Sequence, residues 1–171
     1  MSEYHVEPLS DKHQREEFSC GVQPLDRYLQ KQARQDASKG VSAAFVITPD
    51  GATIAGFYTL SSTELKLRDL PDDFAKKLPR YPSVPAALLG RLAVSTKFRR
   101  QGLGEVLLID AMRRVLSTTR DIASTAIVVD AKDESVRQFY MQYDFVPLPL
   151  HPNRLFFPVK KIAKQFGVSS G

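Results

Sequence analysis

The chain of 171 residues has little sulfur and little imidazole: one cysteine, three histidines and three methionines, with no tryptophan. A lone thiol excludes an internal disulfide, and an isolated cysteine such as Cys20 packs as a small apolar side chain more often than it reacts. His5, His13 and His151 lack metal-site spacing and have no cysteine or carboxylate cluster beside them, so no metal is expected. No apolar run approaches the roughly 18 residues that cross a bilayer, and MSEYHVEPLSDKHQREEF is too polar for a signal peptide. The expectation is a cytoplasmic protein with no membrane partner. Repeats, linkers and low-complexity segments are also missing.

What is present suits one domain spanning residues 1–171, since 43% of the residues are hydrophobic and 25% charged. The net charge of +5 is unevenly spread. Lys97, Arg99, Arg100, Arg113, Arg114 and Arg120 face only Glu105 and Asp110 within residues 97–120, which leaves a single net positive charge for the remainder. Such a cluster suits a polyanionic ligand, either a phosphorylated cofactor or RNA.

Local patterns predict a mixed α/β fold. Ser10 is positioned to cap a short helix through about Phe18, and PLDRYLQKQARQDA aligns Leu25, Tyr28, Leu29 and Ala33 on one helical face. AAFVIT and TIAGFYTL flank PDG as a hairpin. A short helix follows Pro71, and RYPSVP reads as an extended connection. Ala86 to Val94 is apolar except at Arg91, as in a central strand. A helix opening at Gly104 aligns Leu107, Leu108, Ala111, Met112 and Val115. STAIVVDA reads as a strand, ESVRQFYMQY as a helix, and DFVPL and RLFFPV as terminal strands.

Between the central strand and the long helix lies RRQGLG, residues 99–104. Glycines and exposed arginines there could simply close a turn. Alternatively, Gly102 and Gly104 keep side chains away from amides at a helix start, where the amides and the helix dipole bind phosphate.

The ordered set LLGRLAV, RRQGLG, long helix, AIVVDA and FYMQYDF, over about residues 86–146, resembles the GNAT superfamily of acyl-CoA-dependent N-acetyltransferases. The resemblance implies a central mixed sheet with splayed strands and flanking helices, with acetyl-CoA as acetyl donor. Arg99, Gly102 and Gly104 fill the family's loop pattern, so Arg99, Arg100, Gln101, Gly102, Leu103 and Gly104 are the implied cradle for its pyrophosphate, and the backbone near Ala93 and Val94 is implied to bind the pantetheine arm. By spacing with Val136 and Phe139 alone Tyr140 reads as a core aromatic, but the catalytic tyrosine of the family falls there, which implies a phenol that donates a proton or hydrogen bond to the thioester sulfur. Asp144 stands where that family commonly has glycine.

Along its whole length, through REEFSCGVQPLDRYLQKQA, AGFYTLSS and GRLAV, the chain is similar to GNAT toxins of bacterial toxin-antitoxin modules. That resemblance implies acetylation of the α-amine of an aminoacyl-tRNA, a ribbon-helix-helix antitoxin and a homodimer. Arg91 either pairs with a carboxylate or contacts RNA phosphate; Lys31 and Arg34 are either solvated or further RNA contacts. AALLGRLAV has no Asp, Glu or His to serve as a base. A lysine amine is less than about 0.1% neutral at pH 7 and an α-amine roughly 10 to 15%, so the α-amine needs less help. The alternatives are a GNAT enzyme acting on a small amine or protein N-terminus, and a noncatalytic acyl-CoA-binding regulator.

Overall fold

The computed structural model of the chain describes residues 3–167. Its strands are β1 (His5–Pro8), β2 (Ala43–Thr48), β3 (Gly56–Lys66), β4 (Ser83–Val94), β5 (Ala126–Asp130), β6 (Val146–Leu148) and β7 (His151–Pro158), hydrogen-bonded in the order β1-β2-β3-β4-β5-β7-β6. The helices are α1 (Gln23–Arg27), α2 (Ala33–Ser38), α3 (Asp72–Ala75), α4 (Leu103–Thr118), α5 (Glu134–Gln142) and α6 (Val159–Gln165). The chain forms two compact units, Met1–Ser61 with Leu89–Ala111, and Ser62–Leu88 with Met112–Gly171.

In the first unit β1, β2 and β3 pair antiparallel, with Val6 opposite Ile47 and Val46 opposite Phe57. Their apolar side chains meet Phe18, Leu29 and Ala33, and Phe18 and Phe57 cross edge to face at 5.5 Å. Each such fully buried side chain contributes roughly 1.5–3 kcal/mol. Gly56 has a specific reason to lack a side chain: its Cβ would lie 2.8 Å from the carbonyl oxygen of Ala93 and 2.9 Å from Leu107 Cδ1. The glycine lets β3, β4 and α4 approach closely.

Three local elements differ from the sequence expectation. Ser10 caps no helix; its amide donates to His13 Nδ1 at 3.0 Å, and only a 3-10 turn, Arg15–Glu17, forms before Phe18 enters the core. The amphipathic run after Val22 is not one uniform α-helix. Between α1 and α2 lies a π segment, Tyr28–Gln32, in which the Ala33 amide donates to the Tyr28 carbonyl five residues back. The extra residue in that turn keeps Tyr28, Leu29 and Ala33 all buried. Finally, β3 starts at Gly56, because the Asp50 carboxylate accepts the amides of Ala52 and Thr53 and holds them in the preceding turn. Beyond these, β1 and α6 form from segments whose short apolar patterns carried no clear periodicity.

In the second unit β4 and β5 run parallel through Ala87 opposite Ile127 and Leu88 opposite Val128, where the paired register ends. β7 pairs antiparallel with both β5 and β6. Leu65, Val84, Val128, Leu148 and Phe156 form its core with α3, whose Phe74 ring lies 5.2 Å from Phe156. The apolar face expected of α4 is buried at Leu107, Leu108, Ala111, Met112 and Val115.

Candidate active site

In the first unit β4 ends at Val94, with Ala93 buried and Val94 half-buried, and the chain passes through a 3-10 turn, Thr96–Phe98, into residues 99–104. Arg100 and Gly102 both take left-handed backbone conformations, at φ 65 and 74. Nothing lies within 4 Å of where a Gly102 Cβ would stand, so the loop is open above it. Helix α4 begins at Leu103, and its first helical hydrogen bond runs from the Val106 amide to the Gly102 carbonyl at 3.2 Å. The amides of Leu103, Gly104 and Glu105 therefore precede the helical ladder at the positive end of a 16-residue helix. The Glu105 carboxylate belongs to this first turn and is exposed. Open space, positive-φ backbone and unengaged amides together fit a diphosphate.

Two contacts that the motif alone does not reveal hold this loop. Arg99 Nη2 donates to the Cys20 carbonyl at 2.6 Å, and the Tyr4 hydroxyl donates to Gln101 Oε1 at 2.6 Å while its ring meets Phe98 edge to face. Arg99 is thus engaged with backbone, leaving Arg100 as the exposed arginine of the pair without a protein partner among the described residues. Cys20 itself is buried, and desolvation followed by the nearby Asp26 pushes its thiol up to about 11, keeping it protonated at neutral pH.

Arg91 departs β4 toward the π segment. Its guanidinium lies flat over the Tyr28 ring, 3.5 Å from the centroid, and the Tyr28 hydroxyl donates to Asp36 at 2.7 Å. One guanidinium face is therefore covered by the ring, and the carboxylate acts through the phenol. Lys31 is exposed, and Arg34 pairs with Asp11 at 2.8 Å. The structure brings Arg91, Lys31 and Arg34 into the same unit as the 99–104 loop.

Tyr140 belongs to the second unit, in α5, whose N-terminus is capped by Asp133 accepting from the Val136 amide at 3.0 Å. Phe139 and Phe145 flank its ring at 5.1 and 5.3 Å, leaving the residue 5% exposed. Burial raises the pKa of the phenol well beyond its ordinary range, so the hydroxyl remains a neutral donor. That hydroxyl has no hydrogen-bond partner among the described residues. Helix α5 closes through Asp144 at φ 70, after which the Phe145 amide returns to the Tyr140 carbonyl at 3.2 Å. Aspartate here adopts the left-handed geometry that glycine accepts most readily.

The family described as acetyltransferase (GNAT) domain matches residues 84–154. The chain is 30% identical to the probable toxin TacT of Sinorhizobium fredii, over 95% of this chain and 94% of that protein. It is 37% identical to the tRNA-acetylating toxin of Mycobacterium tuberculosis, over 89% of this chain and 90% of that protein. AtaT complexed with acetyl-methionyl-tRNAfMet matches with a TM-score of 0.89 and 28% identity, over 96% of this chain and 99% of that one. A tyrosine-to-phenylalanine mutant of AtaT, bound to the C-terminus of the antitoxin AtaR and acetyl-CoA, matches with a TM-score of 0.80 and 25% identity, over 95% and 98%. The fold is that of a GNAT acetyltransferase, and the chain belongs to the GNAT toxin family.

Proposed function

We propose that the chain transfers an acetyl group from acetyl-CoA to the α-amine of an aminoacyl-tRNA and thereby blocks translation. The observation that carries this reading is the 37% identity to a tRNA-acetylating toxin along 89% of the chain. The complex of AtaT with acetyl-methionyl-tRNAfMet supports the same substrate class. Acetyl-CoA supplies an activated thioester.

The roles follow from the residues. Amides of Leu103 and Gly104, with the open backbone at Gly102, hold the diphosphate; Arg100 adds charge beside it, while Arg99 and Gln101 keep the loop in shape. The backbone of Ala93 and Val94 hydrogen-bonds to the pantetheine amides. The amine nitrogen attacks the thioester carbonyl carbon, a C–N bond forms and the C–S bond breaks, and the amine gives its proton to water. Tyr140 protonates the departing sulfur and regains a proton from solvent. β4 carries no Asp, Glu or His. That composition suits an acceptor which, unlike lysine, is already partly neutral at pH 7.

Arg91 contacts RNA phosphate through the edge of its guanidinium, with Tyr28 fixing the plane, and Lys31 adds a weaker contact. The ion pair with Asp11 makes Arg34 the least available of the three. A ribbon-helix-helix antitoxin, a homodimer and a cytoplasmic setting complete the reading. Acetyl-CoA and an antitoxin are bound together in the AtaT complex, which supports the donor and the kind of partner.

The test is incubation with labelled acetyl-CoA and total charged tRNA. Label enters charged tRNA and not deacylated tRNA, and mild alkali releases it as an N-acetyl amino acid, because the ester is cleaved and the amide survives. Gly102→Glu weakens acetyl-CoA binding, and Arg91→Ala weakens tRNA-dependent turnover while sparing acetyl-CoA affinity. Equal labelling of deacylated tRNA, or acetylation confined to lysine peptides or free small amines, overturns the assignment.

A further inference from the structure

The second unit holds a feature that the acetyl-transfer chemistry leaves unused. Two depressions, of about 570 and 440 Å³, are both bounded by Glu64 and Lys66 at the end of β3. The smaller one is walled by Arg68 and Tyr81; the larger continues past His151 to Arg154 on β7. Tyr81 is 64% exposed, the most open aromatic side chain among the described residues.

The charges in this trough are not equivalent. Each of its carboxylates is engaged: Glu64 accepts from the Ser83 hydroxyl at 2.9 Å, Asp69 lies 3.8 Å from His151, and Asp130 lies 3.6 Å from Arg154 Nε. Arg154 also reaches Thr63 Oγ1 at 3.3 Å. The side chains of Lys66, Arg68 and Tyr81, by contrast, have no hydrogen-bond or ion-pair partner among the described residues. Two free cations beside an uncovered aromatic face fit one kind of ligand. Phosphate takes the cations and a base takes the ring. An acidic peptide would satisfy the cations and leave the ring bare.

We propose that this trough carries a single-stranded RNA segment, one base stacked on Tyr81 and the adjoining phosphates on Lys66 and Arg68. The proposal rests on the reading of charged tRNA as substrate and assigns to this trough its unpaired acceptor end. Stacking on Tyr81 accepts any base, since every base has a π face, so the trough grips RNA without selecting the amino acid.

The experiment measures binding of a short uncharged RNA ending in CCA to the full chain by fluorescence anisotropy, beside steady-state acetylation of charged tRNA. Tyr81→Ala should weaken the RNA by roughly five- to a hundredfold, the range seen on removing one stacking ring. Tyr81→Phe, which keeps the ring, should bind like the parent. Lys66→Gln and Arg68→Gln should each flatten the dependence of log affinity on log salt by about 0.7, as expected when one single-strand phosphate contact is lost. All of these variants should keep their acetyl-CoA affinity, and those that weaken RNA should raise KM for charged tRNA.

Unchanged RNA affinity in Tyr81→Ala overturns the proposal. So does a loss confined to duplex RNA or to an acidic polypeptide. If the parent binds the oligonucleotide through these residues but acetylates no charged tRNA, the trough stands and the proposed function falls. If charged tRNA is acetylated while these substitutions change nothing, the function stands and the trough falls.

Discussion

Arg99 and the carbonyl of Cys20 are joined at 2.6 Å across 79 positions of sequence. Gly21 makes the contact possible, since it turns at φ +87 and its missing Cβ would stand 3.2 Å from Arg99 Nη2. Cys20 is held in turn by its own amide, which donates to Asp26 at 2.8 Å. Arg99, the first arginine of RRQGLG, therefore works as a strap that orders the loop. Preorganisation of this kind raises affinity by removing an ordering cost from the binding step.

Replacing Arg99 with alanine should loosen the loop more than it destabilises the protein. Acetyl-CoA affinity should fall about tenfold, comparable to losing one charge-assisted hydrogen bond. Titration calorimetry measures this directly, and Arg99→Lys, which lacks the guanidinium fork, should recover only part of it. Unaltered affinity in Arg99→Ala would show that the loop does not depend on this strap.

Tyr140→Phe should bind acetyl-CoA normally and lose turnover by roughly ten- to ten-thousandfold, spanning the usual range for a positioned acid with an allowance below it. The pH dependence is equally specific. Because burial raises the phenol's pKa, the protonated donor persists at neutral and mildly alkaline pH. Rate should therefore rise as the amine acceptor loses its proton, with no alkaline decline from Tyr140 near the ordinary tyrosine value of about 10. Single-turnover acetylation as a function of pH checks this, and an alkaline decline there that vanishes in Tyr140→Phe would contradict a buried neutral donor.

Asp144→Gly should stabilise the chain. Asp144 is exposed at φ 70, a left-handed conformation that costs an L-residue about 1–2 kcal/mol relative to its preferred region, less for aspartate than for most. Glycine loses more entropy on folding, so the net gain should be about 0.5–1 kcal/mol. Thermal unfolding should show an increase of a few degrees, and a lower midpoint would rule out strain at this turn.

Asp50→Ala should destabilise the β2–β3 connection in a pH-dependent way. The amides of Thr53 and Ala52, followed by the Thr53 hydroxyl, lower the carboxyl to about 2 in the folded chain. Its stabilising effect is complete above the unfolded value near 3.9 and fades as pH falls toward 2. Parent and variant should therefore differ at neutral pH and converge under acid. A gap that stays constant down to pH 2 would show that the turn does not depend on the carboxylate charge.

Several parts of the fold are legible in the chain because their causes are local. The spacing of Leu107, Leu108, Ala111, Met112 and Val115 makes α4 amphipathic wherever it lies, and all five are buried. The β-branched residues and continuous apolar runs of AAFVIT and AIVVD likewise specify β2 and β5. Asp144 stood out by sequence as a residue where glycine is common, and its φ of 70 supplies the reason. Ser10 misleads for a local reason too: a capping residue needs a helix to cap, and the His13 ring takes its amide instead.

By itself the sequence determined that RRQGLG would meet the start of a long helix, that Tyr140 would lie in a later helix, and that β4 would carry no acid or histidine. These follow from the order and period of neighbouring side chains. Only the tertiary structure decided that Arg99 straps the loop to Cys20, that Arg91 lies on Tyr28, and that Lys66, Arg68 and Tyr81 line a shared trough. The first two join positions far apart along the chain. Their partners are chosen by strand pairing and burial, which bring backbone segments within reach, and no local periodicity encodes that choice.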